Sequence, residues 1–219
     1  MTPAPTAAIS GPDRFQKLWR RCLIDGANDD SAKIHRLLVD AYREPQRHYH
    51  SLAHIEQCIG MFDACKSLAT NPDALELAVW FHDVIFEPDQ ADNERRSADL
   101  YLQLSDGVQA DELRGLVERL IMATLHDGNS LQDPDTVYMV DIDLSSFGLS
   151  WEEFLRDSEN LRRESASLSD AEYFRRKKEF QNCLLDKERF YLSDFFAERL
   201  ENQARSNLSR YFEFVDQQL

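Results

Sequence analysis

A chain of 219 residues with 42% hydrophobic content is long enough to bury one sizeable core. Its 40 acidic residues against 25 basic ones give a formal net charge of −15, which opposes loading onto the polyanionic backbone of DNA or RNA and onto anionic membranes. No nucleic-acid polymer and no membrane is therefore expected as a partner.

Residues 1–12, MTPAPTAAISGP, lack the basic-then-apolar order of an export signal and read as a frayed tail, ahead of a single domain over 13–219. No later stretch approaches the roughly 18 apolar residues of a membrane span. Cys22, Cys58, Cys65 and Cys183 form no CxxC pair and read as reduced thiols, so a soluble, cytoplasmic protein is expected.

From there the apolar period is helical nearly everywhere. In "RHYHSLAHI", residues 47–55, three of the chain's six histidines fall within seven positions. A helix over Tyr49–Lys66 would carry the stripe Ile55, Ile59, Phe62 and would place His50 and His54 four apart on one face. The next stripe, Leu75, Ala78 and Val79, runs into "LAVWFHDVIF", where His82 continues the buried face and Asp83 interrupts an apolar run. Asn93 is placed to cap the following helix, with Asp92 and Glu94 beside it. Leu113, Leu116, Val117, Leu120, Ile121 and Thr124 form one further stripe that ends just before His126. In "YMVDIDLSSFG" two more carboxylates, Asp141 and Asp143, interrupt an apolar run. Ser150 with Glu153, and Ser169 with Glu172, are spaced as capping boxes. Arg175, Arg176, Lys177 and Lys178 read as a solvated face. The late aromatics, among them Phe190, Tyr191, Phe196 and Tyr211, read as core or as the packing of a homo-oligomer. The expected fold is all-α, with about eight to ten helices.

A carboxylate among Phe81, Val84, Ile85 and Phe86 is expensive to bury as an anion unless a cation compensates it. Neutral imidazole together with carboxylate is the donor set that borderline and hard divalent ions prefer. His54, His82, Asp83 and an acid of the 141–143 pair, on separate helices, therefore read as the ligands of one ion.

The order His, His-Asp, distant Asp resembles the HD superfamily of metal-dependent phosphohydrolases. "YHSLAH" is similar to the YHN-x-x-H motif of cyclic-nucleotide phosphodiesterases, and "IDLSSF" to the ADLSN segment that carries their last metal Asp. "DNERRSA", "ATLHD" and "RRES" look like a bacterial subgroup of predicted HD phosphohydrolases. The motif-bearing region is 47–148. The resemblance implies an all-helical fold and a divalent ion, Mn, Zn, Fe, Co, Ni or Mg, held by His54, His82, Asp83 and Asp143. It further implies His50 as the acid that protonates the leaving group, and a small phosphorylated substrate, a phosphomonoester or phosphodiester such as a nucleotide. Asp83 would also orient the nucleophilic water, and His48 is a bystander.

The phosphodiesterases carry a further histidine soon after the HD pair, and this chain does not. His126 is a candidate for a second ion or, equally, a histidine at the end of its helix; Asp141 stands as the alternative to Asp143 and as a second-ion or substrate candidate. Arg47, Arg95, Arg96 and Arg163 are candidate phosphate contacts, because guanidinium groups grip phosphate bidentately. Two other functions compete. One is a non-catalytic module that binds a nucleotide or metal; the other is an HD-type di-iron oxygenase, which needs a fuller ligand set than the one visible.

Overall fold

The computed structural model describes residues 11–126 and 134–216. The expected N-terminal tail therefore lies almost wholly outside the described residues; Gly11 precedes the first helix and Pro12 opens it. Ten α-helices are present among the described residues, with no strand and one isolated antiparallel bridge between Leu23 and Gln109. The all-α expectation holds. None of these helices is long and apolar enough to cross a membrane.

The chain divides into two compact units, and the division falls inside α7, between Val140 and Asp141. The first unit contains α1 (Pro12–Arg21), α2 (Ser31–Ala41), α3 (Leu52–Cys65), α4 (Pro72–Phe81), α5 (Asn93–Ser105) and α6 (Asp111–Met122). A 3-10 turn, Ala123–Leu125, follows α6, and α7 runs from Pro134 to Asp143. At its centre is α4. Every residue from Ala74 to Phe81 is buried, as expected of a helix apolar on all sides, and it packs against α1, α3, α5 and α6. Phe15, Trp19, Trp80, Phe81 and Tyr101 form one aromatic cluster, with ring centroids 5.1 to 6.2 Å apart in successive pairs.

The one buried acidic residue of α4, Glu76, accepts from Arg14 Nε at 2.7 Å, and the same guanidinium forks onto Asp63 at 2.6 and 3.0 Å. Three helices, α1, α3 and α4, are tied through that one arginine.

The end of α4 is held group by group. Helix termini leave carbonyls without intrahelical partners, and here they are supplied. His82 N–H donates to Ala78 O, His82 Nδ1 lies 3.0 Å from Val79 O, Tyr42 OH donates to Trp80 O at 2.9 Å, and Val84 N–H donates to Phe81 O. The segment after it is clamped from α5. Ser97 Oγ accepts from Ile85 N–H, while the Asn93 side chain accepts from Glu87 N–H and donates to the carbonyls of Glu87 and Gln90. Asn93 was expected as an N-cap; it is instead the first residue of α5, and its amide fastens the preceding loop.

The second unit starts in the last turn of α7 and continues through a 3-10 segment (Leu144–Gly148), α8 (Trp151–Glu164), α9 (Asp170–Leu185) and α10 (Asp194–Asp216). The Ser150–Glu153 capping box is formed in both directions; at α9 the Ser169 half of the pattern is made. Gly148 lets the 3-10 segment approach α10, since a Cβ there would fall 2.6 Å from Leu200 Cβ. The basic run of α9 is split by helical period. Arg175 and Arg176 pair with Glu172 on the surface, but Lys177 lies over the rings of Tyr173 and Tyr211, where burial lowers its amine to about 7. Phe190, Tyr191, Phe196 and Tyr211 are buried within this unit.

Candidate metal centre

The helix expected from Tyr49 begins three residues later, at Leu52, with Ser51 at its N-cap. His50 therefore sits in the turn ahead of α3, and the shared helical face expected for His50 and His54 is not what brings them together. The turn does so, leaving the two ring centroids 6.2 Å apart. His50 is half-buried and stacks on Phe86 at 4.3 Å, with Tyr49 edge-on at 5.0 Å.

His54, in the first turn of α3, meets His82, which caps the C-terminus of α4, with their Nε2 atoms 3.3 Å apart. Asp83 Oδ2 lies 3.0 Å from His82 Nε2 and 3.6 Å from His54 Nε2. Both imidazoles are 1% exposed and the Asp83 side chain is 14% exposed. Three of the expected ligands thus converge, drawn from α3 and the turn after α4.

Sequence reading did not single out Cys58 as a ligand. Its Sγ lies 3.6 Å from His54 Nε2, and His54, Cys58 and His82 offer donor atoms all within 4.8 Å of one another. The signal was present as His-x3-Cys, four residues apart on one helix face. Full burial of a cysteine is ordinary, so the spacing alone did not distinguish a ligand from a core residue.

The donor chemistry fits a cation. Val79 O can only accept, so the 3.0 Å contact puts a proton on His82 Nδ1 and, in the neutral ring, leaves the Nε2 lone pair facing inward. In that state the lone pair faces a carboxylate oxygen and a second imidazole nitrogen, a donor set that suits a divalent cation. Around a tetrahedral ion with bonds of about 2.05 Å to nitrogen and about 2.3 Å to sulfur, N···N and N···S edges come to roughly 3.3 and 3.6 Å. The spacings found, 3.3 and 3.6 Å, agree. Burial raises the Asp83 carboxyl, but in the metal-free protein the charge of protonated His82, with His50 and His54, outweighs it and holds the group well below the usual carboxylate range.

Asp141 and the candidate arginines, Arg163 apart, are engaged with other partners. Asp141 is fully buried in the second unit, where its carboxylate accepts from Leu192 N–H, Ser193 N–H and Ser193 Oγ at 2.8, 2.7 and 2.6 Å. Asp143 is half-buried, closes α7 and belongs to that same unit. His126 follows the 3-10 turn in a left-handed conformation, φ 54°, outside the His54–Cys58–His82 group.

Arg47 is buried, and its donors face Glu44 and three backbone carbonyls. Arg95 pairs with Glu118 and Asp99, Arg96 with Glu87, and Arg163 is exposed on α8 beside Asn160. No protein-family model matches this chain, and no curated protein or solved structure matches it.

Proposed function

We propose that His54, His82 and Asp83 bind a divalent ion and that the protein is a metal-dependent phosphohydrolase acting on a small phosphomonoester or phosphodiester. The observation that carries this reading is the meeting of His54 Nε2, His82 Nε2 and Asp83 Oδ2 within 3.6 Å, with the His82 lone pair turned inward. The likeness of "YHSLAH" and the His-Asp pair to HD phosphohydrolases supplies the reaction class. A divalent ion at such a site supplies Lewis acidity toward a phosphoryl oxygen and lowers the pKa of water.

The chain's own residues have separable roles. His54 and His82 hold their nitrogens inward from buried, packed positions. Asp83 stays anionic and offers a carboxylate to a ligand or to a water proton. His50, half-buried between Phe86 and Tyr49, is the candidate proton donor to the leaving oxygen, a task that imidazole suits.

The test is hydrolysis of p-nitrophenyl phosphate and bis-p-nitrophenyl phosphate by the full chain loaded with Mn, Co, Ni, Zn, Fe or Mg. His50→Ala should keep the ion and lose about 10²–10⁴ in rate, whereas His82→Ala should lose both. Equal loss of metal in the two variants contradicts the division of roles.

Cys58 favours a second reading. With its thiolate added, the protein supplies four ligands, and a closed shell of that kind belongs to a non-catalytic metal site. Cys58→Ala separates the two, since a catalytic site keeps its turnover without the sulfur and a closed site loses its ion with no turnover to lose.

A further inference from the structure

We infer that Arg47 is a positioning residue, whose guanidinium sets the spacing between the turn that carries His50 and the turn that carries His82 and Asp83. The inference rests on the metal-site reading above and gives Arg47 a role other than phosphate binding.

One guanidinium reaches two turns far apart in sequence. Nη1 donates to His50 O at 3.1 Å and to Asp83 O at 2.6 Å, and Nη2 donates to Val84 O at 2.8 Å. Nε donates to Glu44 Oε2 at 3.0 Å. The side chain is 1% exposed. Its flat faces are covered by aromatic rings, Tyr42 at 5.3 Å and Phe86 at 5.5 Å, and Phe86 is the ring on which His50 stacks.

Backbone position is thereby converted into side-chain position. The Asp83 peptide that Arg47 grips carries the carboxylate lying 3.0 Å from His82 Nε2, and the His50 peptide carries the imidazole beside His54. A planar fork with five donors can bond three carbonyls and a carboxylate at once; an ammonium has three donors and no plane to stack. Four of the five N–H groups already have these partners, so little of the fork is left for an anionic ligand.

The test uses cobalt as the probe. The full chain is stripped with a chelator and titrated with Co²⁺, with the d–d absorption and affinity recorded for wild type, Arg47→Lys and Arg47→Met. Loss of an outer support of a metal ligand costs about 10- to 100-fold in affinity, and that loss is expected here with a changed d–d envelope. Millimolar methylguanidinium should recover part of it in Arg47→Met.

Arg14→Lys is the control for a purely structural arginine. It ties α3 at Asp63, roughly 13 Å along the helix from His54, and should lower Tm while leaving the cobalt affinity within about twofold, as separated sites allow. Folded Arg47 variants with wild-type affinity and spectrum overturn the inference but leave the metal site standing; a wild type that binds no cobalt overturns both. Should neither Arg47 variant fold, Glu44→Gln loosens Nε from the exposed side, and an unchanged cobalt spectrum and affinity there count against positioning.

Discussion

Asp83 and Asp141 each interrupt an apolar run, and the protein compensates their charge in different ways. Asp141 is met by the protein itself, with three donors from Leu192 and Ser193 at the start of α10. Asp83 is met by the imidazoles of His82 and His54, and the proposed ion would complete that arrangement. A buried acid therefore demands compensation, but only its neighbours in space decide whether backbone or an ion provides it.

The largest effect that would break this contrast is on metal content. Wild-type protein should carry roughly one divalent ion per chain, and His82→Ala almost none, a loss beyond the ~10- to 100-fold cost of removing an outer partner. Elemental analysis of the two proteins, purified side by side, decides it; equal metal in both would return these histidines to the core.

Next in size is a crossed pair. Asp83→Asn should abolish metal retention, while Asp141→Asn should keep the ion and lose about 1–3 kcal/mol of folding stability. Urea melts with chelator present, together with metal analysis, read both arms. Reversed outcomes would exchange the roles of the two acids.

A smaller effect is thermal. If the free ion stands near a hundred times its Kd, it contributes about 2.7 kcal/mol, and a chelator should then lower Tm by about 5–10 °C in a chain of this size. His82→Ala should show no such drop.

The smallest effect is in pH. Burial pushes the Asp141 carboxyl up to about 6, against hydrogen bonds that favour its ionised form. A folded value above the ordinary one means that its contribution is complete below about pH 4 and declines as pH rises through about 6. Asp141→Asn should remove that decline, so its deficit relative to wild type should be greater at pH 4 than at pH 7. A deficit that grows with pH would reverse the sign assigned to this group.

Much of the fold was legible because local chemistry and burial agree. The stripe Leu116, Val117, Leu120, Ile121 marks the buried side of α6, and Ser150 with Glu153 announces α8. The His82–Asp83 pair was legible for a different reason, the cost of a carboxylate among apolar neighbours. The start of α3 was not, because Arg47 bonds the His50 carbonyl three residues on and the distant carbonyls of Asp83 and Val84, which no apolar period reveals. Nor were the partners of Asp141, some fifty residues downstream. Arg47 was weighed for its charge, and it was the carbonyls of distant turns that gave it another task.

The burial of α4 has a consequence for motion. Amide exchange in a helix covered on every side, and packed against α1, α3, α5 and α6, proceeds only through the rarest and largest openings of its unit. His82 sits at the end of that helix and moves on the slow timescale of its surroundings. One proposed ion ligand, His82, is thus anchored to the end of the helix expected to open least often in the first unit.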